Sequence, residues 1–218
     1  MDMRKAISGA VVLFASTLLL CGCPTAQTRY LPEPERLAVH GDFVHSASNI
    51  IMPEKIGEFR RDLIFRYDTA GLDVSAGYGL IGPDHHIVAT VYVYPAPPLI
   101  SIGSPPDVVA SARAHLAQGE FERRKQEIEQ AHPGAVLIEQ QETAEAKGGQ
   151  LYPGEQAVFE YVAAFGGPAM QVQSRLYLFC YIDGKWAIEY RFTYPKGENA
   201  EQEIKQFMKD WNWYGQGV

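Results

Sequence analysis

The chain has 218 residues, of which 46% are hydrophobic and 21% charged. That composition suits one globular domain with a short additional segment and excludes a disordered, collagen-like or coiled-coil chain. A formal charge of −7 argues against a nucleic-acid partner, because binding a phosphate backbone requires a basic footprint.

Arg4 and Lys5, with Asp2, precede an apolar run from Ala6 to Leu20. The run is shorter than the ~20 residues a membrane-spanning helix needs, and it suits the core of a secretory leader. It ends in Leu20-Cys21-Gly22-Cys23. This segment resembles the leader of bacterial lipoproteins, whose lipobox is an aliphatic residue, a small residue, Gly or Ala, then Cys. The resemblance implies that residues 1–22 are a signal peptide and that Cys23 is acylated and becomes the mature N-terminus. It also implies a lipid-anchored, periplasm-facing protein of the bacterial cell envelope. Each buried CH₂ of the lipid contributes about 0.8 kcal/mol, so several acyl chains anchor stably. Pro24 is not the aspartate that retains many such proteins in the inner membrane, which favours the outer membrane.

Pro24 to Ser48 is polar and interrupted by Pro32 and Pro34. It reads as a flexible tether, which makes residues 23–48 a lipidated N-terminus and linker and 49–218 a single domain. Within the domain, Phe59 to Tyr67 alternates as a strand, with Phe59, Leu63, Phe65 and Tyr67 expected on one face. Leu72, Val74, Ala76 and Tyr78 alternate with smaller or polar residues as a second strand. Ile87 to Tyr94 reads as a central strand covered on both faces. Ser104-Pro105-Pro106-Asp107 is expected to open a helix, capped by Ser104, that runs to about Gln130. Val108, Ala112, Leu116, Phe121 and Ile128 supply its apolar side, and its second half is heavily charged. Val136 to Thr143 and Gln156 to Phe165 follow as strands. Met170 to Ile182 and Lys185 to Tyr194 form a hairpin about Asp183-Gly184, two residues that tolerate positive φ. A last helix is predicted over Asn199 to about Trp213, with Ile204, Phe207, Met208 and Trp211 on one stripe.

This order predicts an α+β fold: a mostly antiparallel sheet of about six to seven strands covered by two amphipathic helices. The order, with Phe192-Thr193-Tyr194-Pro195 leading into the terminal helix, resembles the PsbP-like α/β/α sandwich of the PsbP photosystem proteins and the Mog nuclear-transport factors. That resemblance implies an accessory, binding role. A cystatin-like or other α+β sheet is the alternative.

Chemistry is sparse. Asp84, His85 and His86 are credible metal ligands by type, although adjacent side chains of an extended segment point to opposite faces. His40 or His45 joins them only if the tether folds back. Gly77-Tyr78-Gly79-Leu80-Ile81-Gly82 satisfies G-x-G-x-x-G, but Pro83 and a strand follow where a phosphate site needs a helix. It reads as a glycine-rich hairpin loop. No nucleophile elbow, zinc-protease motif or Walker loop is present. No catalytic residue and no cofactor is assigned. Cys180 lies in an apolar run and reads as a small buried hydrophobe. Tyr177, Phe179 and Tyr181 on one strand, and Trp186, Ile188, Tyr190, Phe192 and Tyr194 on the next, are either core or a binding face. The expected function is therefore that of a membrane-anchored, non-catalytic accessory protein that binds an envelope protein or small ligand. The alternative is a tethered enzyme or metal-binding protein with its site near Asp84, His85 and His86.

Overall fold

The turn between the two strands of the predicted hairpin follows directly from its residues. Asp183 (φ 48°) and Gly184 (φ 71°) are both left-handed, and with Lys185 they reverse the chain between the paired residues Ile182 and Trp186. They join β10 (Ala169–Ile182) to β11 (Trp186–Pro195). The computed structural model describes residues 29–82, 86–165 and 167–214. The remaining elements are β1 (Tyr30–Leu37), β2 (Phe43–Val44), β3 (Ile51–Met52), β4 (Lys55–Ile56), β5 (Phe59–Asp68), β6 (Val74–Ile81), β7 (His86–Pro95), α1 (Pro106–Ala131), β8 (Val136–Lys147), β9 (Gln150–Ala164) and α2 (Glu201–Asp210).

Nine strands form one antiparallel sheet in the order β1-β5-β6-β7-β11-β10-β9-β8, with β4 also paired to β5; β2 and β3 form a separate two-stranded ribbon. Two meanders, β5-β6-β7 and β8-β9-β10-β11, meet through their last strands, so β7 pairs with β11. The α+β expectation is corrected by this arrangement. The protein is predominantly antiparallel β: among the described residues 52% are in strands and there are only two helices. The PsbP-like and cystatin-like readings fall with it. The cause is visible in α1, which buries only Glu120, Phe121, Lys125 and Ile128 and so covers a fraction of one face. The ten residues of α2 cover part of the other.

The segment read as a tether supplies further strands. Residues 30–48 carry β1, paired to β5, and β2, paired to β3. Pro32 and Pro34 are tolerated because β1 is an edge strand and needs hydrogen bonds on one side only. His45 is fully buried. Its Nε2 lies 2.9 Å from the Gly71 carbonyl oxygen, so that nitrogen carries the proton and donates. Its Nδ1 then accepts from Ser48 Oγ at 2.6 Å. Burial lowers the imidazole pKa below its usual value, opposed by the hydrogen bond to Gly71 and the charge of Asp68.

One core lies between the sheet and α2. β6 gives it Val74, Ala76, Tyr78 and Leu80, as their alternation requires. The aromatic stripe of β11 is core, not a binding face: Ile188, Tyr190, Phe192 and Tyr194 are all buried. Phe207 of α2 meets Phe59, Tyr78 and Phe192 edge-to-face at centroid distances of 4.8, 5.4 and 5.3 Å. Such pairs add about 0.5–1.5 kcal/mol each beyond area burial. Past the helix, Trp213 Nε1 donates to Tyr190 Oη at 2.6 Å.

Two bulges shift side chains from their expected faces. The β5–β6 register slips between Arg61 and Leu63. Ile64, rather than Leu63 and Phe65, therefore joins Phe59 in the α2-side core. In β10 the register slips between Phe179 and Ile182, where Tyr181 has φ 63°. Tyr181 consequently parts from Tyr177 and Phe179 and packs with the second core, beneath α1.

The G-x-G-x-x-G segment is strand rather than loop, since Gly77 to Ile81 belong to β6. A Cβ at Gly77 would come within 3.0 Å of Leu63 Cδ1. Close strand packing, rather than phosphate binding, explains that glycine. Among the described residues no helix is long and apolar enough to cross a membrane.

Candidate ligand cleft

The helix α1 is anchored by its second half. Phe121 and Ile128 fill the core beneath it. Beside them lies a buried charge network. The fully buried Glu189 of β11 contacts Arg124 Nε of α1 at 3.2 Å through Oε2 and Arg191 Nε through Oε1. Arg124 Nε also reaches Glu120 Oε1 at 2.9 Å and donates to Tyr94 Oη at 3.0 Å. Tyr94 Oη in turn donates to Glu189 Oε2 at 3.3 Å. The Arg124 guanidinium stacks 4.1 Å from the Tyr94 ring centroid. Each buried charge is thereby paired, as its desolvation requires. Glu127 joins from α1, meeting Arg124 Nη1 at 3.0 Å and Arg191 Nη2 at 3.4 Å.

Asp73, just before β6, borders this network electrostatically. Burial pushes its carboxyl up to about 6; Arg124 pulls against that, while Asp68 and Glu189 add to it.

The first half of α1 stands off the sheet. Its continuation of the buried stripe is Ala110, Ala114 and Ala117, at i, i+4 and i+7, where the second half has Phe121 and Ile128. Small side chains leave the space open. The result is a cleft of about 460 Å³, walled by α1, by the β8–β9 hairpin and by the end of β10. This lies within the 300–1,000 Å³ typical of small-molecule sites. The wall formed by α1 is not the one expected, since Val108 is 52% exposed and turns away. Ser104 makes no cap either, because Pro105 is the N-cap residue and no side-chain cap hydrogen bond forms.

Leu178 and Cys180 line the sheet side, with Leu151 and Tyr152 from β9. Gly154 is required there. A Cβ at that position would lie 2.5 Å from Leu178 O and 2.5 Å from the Phe179 ring. Cys180 is buried, and burial, reinforced by Glu120, pushes its thiol up to about 12. It is neutral at physiological pH and is no nucleophile.

Charge is divided between the two sides of the cleft. Arg113 of α1 holds its guanidinium 5.3 Å from the Tyr181 ring centroid, and its buried Nε has no protein partner. Tyr181 Oη is fixed by donating to Pro97 O at 3.1 Å. On the hairpin, Glu142 and Glu155 are directly paired across β8 and β9. The Glu155 carboxyl is held above its usual range, first by burial, then by Glu142 and Glu122. A cation on the helix, an acidic pair on the hairpin and an apolar middle can orient an amphiphile. They supply no nucleophile and base in contact.

Cys23, Asp84 and His85 lie outside the described residues. His86 starts β7, is exposed, and its backbone N–H donates to Glu198 Oε1 at 3.2 Å. Of the two recruitable histidines, His40 is exposed and His45 is locked in the fold. Among the described residues, no group of three or more His, Cys, Asp and Glu side chains is placed to hold a metal ion. Sequence reasoning missed the cleft itself. Its signal was the change from Ala110, Ala114 and Ala117 to Phe121 and Ile128 along one helix stripe.

Compared with known proteins, the chain matches no family model and no curated protein.

Proposed function

We propose that this chain is a lipid-anchored, non-catalytic binding protein of the bacterial cell envelope, and that its α1 cleft takes a small anionic amphiphile of the acyl-chain class. The cleft carries the reading. Its apolar walls, Ala110, Ala114, Ala117, Leu151 and Leu178, suit a hydrocarbon body. Arg113, whose cationic side chain lines the cleft, suits an anionic head group. Glu142 and Glu155 repel the head from the hairpin side and so set its direction. The neutral Cys180 and the internally paired Arg124 and Glu189 suit retention of a ligand rather than its conversion. The leader pattern ending at Cys23 supports a location at a membrane, where acyl-bearing molecules are abundant.

The test is equilibrium titration of the full chain, in lipid nanodiscs, with a fluorescent dansyl fatty acid. Ala114→Trp fills the cleft from an exposed helix position, and Arg113→Gln removes the cation. Saturable binding that falls at least tenfold in both variants supports the proposal. Equal binding by wild type and Ala114→Trp overturns it.

A further inference from the structure

The two edges of the main sheet are built differently. β1 presents Pro32 and Pro34, which have no N–H, and its pairing is irregular between Tyr30 and Glu35. Such features blunt an edge. β8 has twelve residues, no proline and a single irregularity, at Ile138. Among the described residues it ends the sheet, and no backbone hydrogen bond reaches it except from β9. Every residue from Val136 to Glu142 is exposed. Val136, Leu137 and Ile138 are 56%, 40% and 52% exposed, three consecutive apolar side chains in solvent. The outward N–H and C=O groups of such a strand form a template for one more strand.

Charge selects the occupant. Glu139 and Glu142 are exposed on β8, with Glu155 beside Glu142 on β9. Glu145 lies farther along and is paired with Lys147 at 3.1 Å. A second copy of this chain, added β8 to β8, would bring two such acidic strands together, and like charges across a strand pair are destabilising. A strand carrying lysine or arginine gains where the second copy loses. The strand pair β8–β9 is held rigidly enough to act as a template. Lys125 of α1 donates to Gln140 Oε1 at 2.6 Å, and Lys147 donates to the Met208 carbonyl at the end of α2.

We infer that β8 is a docking edge that takes an extended, basic segment of a partner protein by strand addition.

The experiment uses the full chain in nanodiscs and a synthetic twelve-residue peptide alternating lysine with valine and threonine. Binding is read by fluorescence anisotropy, and amide protection by hydrogen exchange. The expected result is saturable binding with slowed exchange confined to β8. Affinity should fall at least tenfold in a Glu139→Lys/Glu142→Lys chain. It should fall as far for a peptide N-methylated at alternate residues, which keeps its charge and loses its hydrogen bonds. Both substitutions are on exposed side chains, and an unchanged circular dichroism spectrum confirms that the variant folds. Equal affinity of the N-methylated peptide would reduce the contact to charge alone and overturn the inference. So would unchanged binding in the double variant, or no binding. Concentration-dependent protection of β8 without peptide would assign the edge to a second copy and equally overturn it.

Discussion

Replacing Glu189 by alanine should unfasten α1. The carboxylate is fully buried and is shared by Arg124, itself largely buried, and Arg191. Removing it leaves both guanidinium groups without their deepest partner, and Tyr94 Oη loses its acceptor. Breaking a buried pair by deleting one side typically costs about 3–5 kcal/mol. Some of that cost is recovered here, because Arg124 keeps Glu120 and Glu127. A loss of about 3 kcal/mol is therefore expected. For a domain of this size, that lowers the melting temperature by roughly 6–12 °C. Urea unfolding at pH 7 measures the free energy, and a Glu189→Ala/Arg124→Met double-mutant cycle isolates the coupling. The cycle should return a coupling of at least ~1 kcal/mol. A Glu189→Ala loss below about 1 kcal/mol, or additive single and double variants, would refute the claim that this network pins the helix.

Three further outcomes follow from the same structure. Gly154→Ala should cost about 1–3 kcal/mol in urea unfolding, because its Cβ has no room beside Leu178 O and the Phe179 ring; a neutral result would contradict the close strand approach. Asp73 titrates near 6 when folded, above an unfolded carboxylate, so its stability contribution is greatest at low pH and is lost as pH rises through about 6. Asp73→Asn should therefore raise the melting temperature at pH 8 and leave it unchanged below about pH 4; a pH-independent effect would contradict this assignment. His45 has the opposite sign for a base: its folded pKa is lowered, so its contribution is full above the unfolded value near 6.5 and is lost as pH falls from there toward the folded value. His45→Phe should flatten the decline in melting temperature on acidification from pH 7.5 to 5, and an unchanged slope would show that burial of His45 does not drive it.

Much of the local structure was legible because it rests on short-range chemistry. Asp183-Gly184 specifies its turn through positive φ, and the Ile204, Phe207, Met208 stripe specifies the buried face of α2. The alternation of Val74, Ala76, Tyr78 and Leu80 specifies the inner face of β6. Face assignment failed where a bulge adds one residue, at Arg61–Leu63 and at Tyr181, since a period of two cannot register an insertion. Strand β1 was illegible because an edge strand tolerates prolines that rule out an interior one. The fold class was misjudged because α1 looks like a covering layer, whereas only part of its length is packed down. The cleft lay in the same blind spot. An alanine stripe satisfies helical periodicity equally well against a core or beside an opening, and only the placement of β8, β9 and β10 distinguishes the two.

The most direct test of the binding account is to purify the wild-type chain and Ala114→Trp from the same envelope preparation and identify the small molecules each retains by mass spectrometry. The account predicts an anionic acyl-bearing molecule, near one per chain, with wild type and a loss of at least tenfold with Ala114→Trp. The same molecules in the same amounts on both chains would contradict it.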